Sequence, residues 1–183
     1  MRLDGDVQSI LVPPVARLGR ADHRQLSLLL LHAVKRERQV HREEEQETIR
    51  MASIRREIVT KQNPAAVWDA VRDIGGLHTR LVPGFVVDTR LEPGARIVTF
   101  GNGMIVREPI VAVDDHERRL VWTAVSDMLT HYNGAVQVFT HAGNQSRVVW
   151  TADFLPDAAA GQVRTMIEQG MEIMRQTLDR AAG

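Results

Sequence analysis

A chain of 183 residues, 44% apolar and 25% charged, has the make-up of one soluble globular domain, long enough to bury a sizeable core. Its 23 basic and 23 acidic residues cancel to zero formal charge, so no bulk field draws it to nucleic acid or to an anionic membrane. Without cysteine it has no disulfide, no thiol nucleophile and no Cys-ligated zinc.

The N-terminal quarter reads apart from the rest. MRLDGDVQSI places two Asp ahead of any apolar run, which is wrong for a signal peptide. LSLLLLHAV, the longest apolar run near the N-terminus, is about half of what a bilayer span needs. A soluble, cytoplasmic protein is expected, with no nucleic-acid partner and no integral membrane association. Residues 1–25 carry paired Pro in VPPVARLG without a sustained period and are expected to be irregular. Residues 26–50, free of Gly and Pro and rich in helix formers, predict a helix whose second half is polar nearly all round. Residues 1–50 are therefore expected to form an irregular segment plus a helical arm, either an extension ahead of the domain or a surface that docks a partner. His23, His32 and His41 recur every nine residues. Nine residues turn a helix through about 900°, so successive members face opposite sides and read as surface histidines.

From residue 51 the pattern changes to strands. SIRREIVT (53–60) alternates Ile54, Arg56 and Ile58 against Arg55, Glu57 and Val59, a half-buried strand. NPAAVWDAVRDIGGLHTRLVPG (63–84) then predicts two short helices. Asn63-Pro64 starts the first, Val67, Trp68 and Val71 give it an apolar stripe, and Gly75-Gly76 stop it. Residues 77–82 make the second, closed by Pro83-Gly84. Six strands follow in FVVDTRLE, ARIVTFG, MIVREPIVAVD, RLVWTAV, GAVQVFTH and RVVWTADF. Their breaks carry turn chemistry: Pro93-Gly94, Gly101-Asn102-Gly103, Asp114-Asp115, Asn133-Gly134 and Gly143-Asn144. Asn133-Gly134 also fits a bulge inside a strand. Such short connections favour antiparallel hairpins. Asp157 is placed to cap a final helix to about residue 181, whose Val163, Met166, Ile167, Gly170, Met174 and Leu178 share one broad apolar face. That face has only the sheet to lie on, so the fold class is α+β.

Strand parity turns Trp150 with Val148 and Phe154, and Trp122 with Leu120, toward that helix. It also puts the Glu108 carboxylate on the face of Met104 and Val106, unless Pro109 marks a bulge. A buried carboxylate needs a partner. Tyr132, His131 and Arg107 are the candidates, and a solvated or plainly ion-paired Glu108 is the alternative. Gly170 in mid-helix costs about 1 kcal/mol against Ala. It stands between Met166 and Met174, which suits either close helix–sheet packing or a gap with adaptable walls. No stronger chemical constellation is present. GNG at 101 lacks the spacing and Lys of a phosphate loop, and Ser53, Ser126 and Ser146 lack a nucleophile-elbow context. No His pair with a Glu suits zinc, and His78, His116 and His141 read as surface loop residues. No metal or cofactor is expected.

The order of one strand, two short helices, six strands and a long helix resembles the helix-grip fold of the SRPBCC superfamily. That superfamily includes START lipid-binding domains, the birch-pollen-allergen family and bacterial polyketide cyclase/dehydrase-like proteins. The last group is the most similar. It often carries a stretch like DIGGLHTRLVPGF after the first helix, and a run like GARIVTFGNGMIVREPIVAVDDHERRLVWTAV with a Glu after a Gly-containing hairpin. It also shows a late HYNGAVQVFTHAGNQSRVVWTADFLPD with a Tyr, a strand Trp and a closing Phe-x-Pro. The likeness covers about residues 53–181. One departure is HTRLVPG, which has one extra residue and lacks the Trp common in the second short helix. The resemblance implies a curved, seven-stranded antiparallel sheet around the C-terminal helix, a cavity between them, and two short helices closing one end. On that reading Leu77, Leu81 and Val82 lie at the rim. Phe100, Met104, Glu108, Trp122, Tyr132 and Trp150 line the sheet side, and Met166, Gly170 and Met174 the helix side.

Three functions stay open. The first is a binding protein, monomer or homodimer, that holds a small hydrophobic or amphipathic molecule such as a lipid, polyketide or aromatic metabolite, oriented by Glu108 and Tyr132. The second is an enzyme of the cyclase/dehydratase kind, in which Glu108 exchanges protons next to a carbonyl while His131 or Tyr132 polarises the oxygen. The third is an interaction module that docks through the N-terminal helix.

Overall fold

Of the helix expected over residues 26–50, the structure, a computed structural model, describes residues 27–28 and 30–40 as helical (α1) and residue 50 as non-helical. The described residues are 27–28, 30–40, 50–124 and 126–183; the irregular segment expected over 1–25 lies outside them, as do His23 and His41. Leu28, Leu30, Leu31 and Val34 are exposed, and α1 belongs to a different compact unit from the sheet. Among the described residues no helix is long and apolar enough to cross a membrane.

The period-two alternation becomes seven strands: β1 (Ala52–Thr60), β2 (Val86–Glu92), β3 (Ala95–Phe100), β4 (Ile105–Asp114), β5 (Arg119–Thr123), β6 (His131–Thr140) and β7 (Ser146–Leu155). Neighbours pair antiparallel in the order β1-β7-β6-β5-β4-β3-β2. The first strand thus sits beside the last, while β2 forms the opposite edge. The chain between them must cross the end of the sheet, and it does so in two pieces, α2 (Pro64–Arg72) and a π-helical turn (Leu77–Leu81). α2 packs against β6 and β7, and the π turn against β2 and the long helix α3 (Ala160–Ala181).

Local chemistry sets those boundaries. The Asn63 side chain accepts from the Ala66 N–H at 2.9 Å and Pro64 takes the first helical position, both standard devices for starting a helix. Val67 and Val71 are fully buried beneath α2. Its last turn gives way at Asp73, whose Oδ1 accepts from the Gly76 N–H at 3.1 Å. A Cβ at Gly76 would run into the Asp73 carboxylate and Arg80, so glycine is required for the tight approach. Arg80 then ties the two pieces together through Asp69 (2.6 Å) and Asp73 (3.1 Å).

Three expectations need correction. Asp157 does not cap α3: residues Asp157–Ala159 form a 3-10 turn, and no side chain caps the helix that follows. Instead the Asp157 N–H donates to the Arg50 carbonyl at 3.0 Å. Asn133-Gly134 is neither a break nor a bulge, because β6 runs through it in unbroken register with β5 and β7. A Cβ at Gly134 would lie 2.8 Å from Trp122 ring carbons, so this glycine exists to let the indole lie over the strand. The buried face of α3 is the expected one with Met171 added and Met166 only half buried.

The C-terminal end of α3 is fixed to β1 by Asp179. Its carboxylate accepts from the Thr60 hydroxyl (2.7 Å), the Lys61 N–H (2.8 Å) and Arg175 (3.0 Å). Burial by itself would raise the Asp179 carboxyl, but these three donors outweigh it and hold it below the usual aspartate range.

Candidate ligand-binding site

Where α3 spans the curved sheet, side chains from both leave two small cavities. The first, about 50 Å³, lies under the π turn; Leu77, Leu81 and Val82 reach it from above, Trp122 and Leu120 from the sheet, and Met174 from α3. The second, about 80 Å³, lies toward the start of α3, between Met104, Tyr132 and Ser126 on one side and Met166 and Ile167 on the other. Phe85, Phe100, Glu108 and Trp150 line both and form the wall between them.

Local sequence puts each wall residue in place. Phe85 follows the Pro83-Gly84 turn, where Gly84 has φ +83°, and its carbonyl accepts from the Gly101 N–H at 2.9 Å. A Cβ at Gly101 would strike the Gly84 carbonyl, so the Gly101-Asn102-Gly103 turn can close against this loop only with glycine there. That closure brings the Phe85 and Phe100 rings edge to face at 5.4 Å, and Trp122 and Trp150 meet likewise at 5.5 Å. Gly170 lines neither cavity. It sits behind the wall, where a Cβ would come within 3.2 Å of Phe85 Cε1 and 3.5 Å of Trp150 Cζ3. The helix carries glycine here because an aromatic ring occupies the space.

The polar centre of the site is an ion pair. Glu108 faces inward as its parity predicts, and Arg96 Nε donates to its Oε2 at 2.7 Å, with side chains only 4% (Arg96) and 9% (Glu108) exposed. The two residues are cross-strand partners in the β3–β4 register. The Arg96 guanidinium also lies 5.5 Å from the Trp122 ring centroid, a cation–π contact. Arg96 therefore replaces the partners expected for Glu108. Arg107 is exposed and pairs with Glu92 at 3.1 Å. His131 is exposed and lines neither cavity, because strand alternation turns it away from the face that Tyr132 takes. Pro109 itself stays in register with Ala95, so Glu108 keeps its parity, and the irregularity of β4 falls between Ile110 and Ala112. His78, expected at the surface, is half buried in the π turn, and its Nδ1 has no partner among the described residues.

Tyr132 is 8% exposed and stacks with Phe154 at 6.5 Å. Burial above all opposes ionisation of its hydroxyl; the Trp150 indole eases this, Glu108 adds to it and Arg96 eases it again, with a large net rise above the ordinary tyrosine range. Tyr132 is thus a neutral hydroxyl at any working pH. The Trp150 indole lies near enough to influence that hydroxyl, yet its N–H completes no hydrogen bond with it or with any other described residue. Ser126 Oγ is also buried without a partner among the described residues.

Phe85, Arg96 and Ser126 are the site residues that single-strand patterns do not reveal. Arg96 had a signal: six residues before Asn102 and six after it stand Arg96 and Glu108, so a hairpin centred on that turn must set them opposite. Phe85 looks like a turn residue until the hairpin closes on it. Ser126 lies in the β5–β6 connection, where no period applies.

A family model described as polyketide cyclase / dehydrase and lipid transport matches residues 51–182. No match was found among curated proteins. Solved structures share the architecture, a seven-stranded antiparallel sheet gripping a long C-terminal helix. An uncharacterised protein of Bacillus thuringiensis is similar with a TM-score of 0.64 at 18% identity, over 69% of this chain and 98% of that one. The aromatase/cyclase Zhui of Streptomyces sp. R1128 gives 0.54 at 18% identity, over 73% and 94%. Norcoclaurine synthase of Thalictrum flavum, solved with dopamine and hydroxybenzaldehyde, gives 0.59 at 16%, over 74% and 88%. At such identities the likeness shows the helix-grip fold and nothing finer.

Proposed function

Since this chain belongs to the polyketide cyclase/dehydrase and lipid-transport family, we propose that it holds a small, largely apolar organic molecule in the divided cavity beneath α3. One observation carries the reading: two apolar lobes meet at a wall made mainly of aromatic rings, with a single buried ion pair as their polar landmark. An apolar cavity of about 150 Å³ takes a benzene ring, so the two lobes together suit a molecule of about one ring. Anything larger requires Phe85 and Phe100, which are half buried, to swing outward. Apolar walls supply affinity and the few polar groups set orientation. Native mass spectrometry of the protein as purified tests this. An adduct with the mass of a small single-ring molecule, released by organic extraction, is expected; bare protein that also takes up no apolar fluorescent probe would count against the reading.

A second reading, catalysis of the cyclase/dehydratase kind, is favoured by one detail. Glu108 lines both lobes and, among the described residues, accepts only through Oε2, which leaves Oε1 free to exchange a proton with a bound carbonyl compound. In that role Tyr132, as a neutral donor, polarises the oxygen, and His131 takes no part.

A further inference from the structure

Two polar groups of the second lobe complete no hydrogen bond among the described residues, although the Trp150 indole lies close to the Tyr132 hydroxyl. Trp150 Nε1 and Ser126 Oγ are buried without a completed hydrogen bond among the described residues, and both residues line this lobe together with Tyr132, whose hydroxyl the indole approaches. Buried polar groups are almost always paired, so an orphan inside a cavity marks the place where something else supplies the partner. Trp Nε1–H only donates, so that partner must be an acceptor. Tyr132, kept neutral by its burial, presents a second O–H rather than an anion.

The charge nearby narrows the acceptor further. Arg96 is already matched by Glu108 at 2.7 Å, and the Glu108 carboxylate itself lines the lobe. An incoming anion would lose its water, meet that carboxylate and find no countercharge among the described residues that line the lobe. The remaining walls, Met104, Met128 and Met166 among them, are apolar and adaptable.

Resting on the reading that the cavity holds a ligand, we propose that the second lobe is a seat for one neutral carbonyl oxygen on a single-ring molecule, bonded by the Trp150 N–H with the Ser126 and Tyr132 hydroxyls beside it. Aryl ketones and aldehydes fit this seat. Carboxylates of the same size do not, and hydrocarbons fill it without satisfying it.

The test is an NMR titration of the full-length ¹⁵N-labelled protein with acetophenone, ethylbenzene and benzoate. Acetophenone is expected to bind about tenfold tighter than ethylbenzene, because a site with an unpaired donor discriminates against the analogue that lacks the acceptor. It also shifts the Trp150 indole signal, which ethylbenzene does not, and benzoate binds weakest. In Trp150→Phe the preference for acetophenone falls to near parity. Equal affinity for acetophenone and ethylbenzene, as expected if the orphaned N–H merely holds a water, overturns the proposal and leaves the cavity reading standing. So does a preference that survives Trp150→Phe. Binding of neither probe removes both. The indole shift in the unaltered protein decides the matter even if the variant fails to fold.

Discussion

Glu108 faces inward because the pleat of β4 sets Val106 and Glu108 on one side, and it is tolerated there because Arg96 stands directly across on β3. Parity within one strand says which face a residue takes; only the pairing register says what lies opposite. The inward Glu108 was therefore legible from its own strand, whereas Arg96 required the hairpin to be folded about Asn102. The same alternation, applied to β6, separates Tyr132 from His131. A buried pair is worth little against an apolar replacement, but breaking it by removing one partner is costly. Arg96→Met should therefore lower unfolding stability by about 3–5 kcal/mol in urea titrations, since it strands a buried carboxylate. Adding Glu108→Leu to that variant should restore most of the loss. A single variant as stable as the parent would mean that the carboxylate reaches water, against its burial in the structure.

At the scale of elements, α3 and the loop before β2 meet at Gly170. The helical spacing identified Gly170 as part of the buried face, but what it faces was not legible, because Phe85 arrives from a turn whose path depends on Gly84 and Gly101. The start of α3 was misplaced for a related reason. Asp157 has cap chemistry, yet its backbone N–H is taken by Arg50 and the chain makes a 3-10 turn before the helix begins. Gly170→Ala sets a gain of about 1 kcal/mol in helix propensity against a 3.2 Å approach to Phe85 Cε1. Since Phe85 is a half-buried wall residue, its ring should yield. Thermal unfolding is expected to be unchanged or raised by a few degrees, while affinity for ethylbenzene drops several-fold as the wall moves into the lobes. A loss of more than about 1 kcal/mol would show instead that the ring is locked and the wall cannot open.

Over the whole molecule, the sequence of elements was readable from periodicity and turn chemistry: one strand, two short helical pieces, six strands and a long helix. Periodicity does not say which strand neighbours which, and the placement of β1 beside β7 is seen only in the folded sheet. That placement explains the interrupted helix at residues 63–84. The chain must travel from one sheet edge to the other, and two pieces hinged at Gly75-Gly76 turn a corner that one straight helix cannot. The second piece then roofs the first lobe with Leu77, Leu81 and Val82. Fold and function meet in this arrangement, for the strand order creates the gap under α3 and the crossing segment closes one end of it.

The central claim is that this gap is an apolar chamber of limited size that admits a guest. Calorimetric titration with benzene, ethylbenzene and butylbenzene tests it most directly. Because the two lobes together take about one ring, benzene should bind with a negative heat-capacity change. Each added methylene should gain less than the roughly fourfold that unhindered burial of apolar surface gives, since Phe85 and Phe100 must swing outward to admit it. Absence of binding, or a full gain of about fourfold at every methylene up to butylbenzene, would contradict the account.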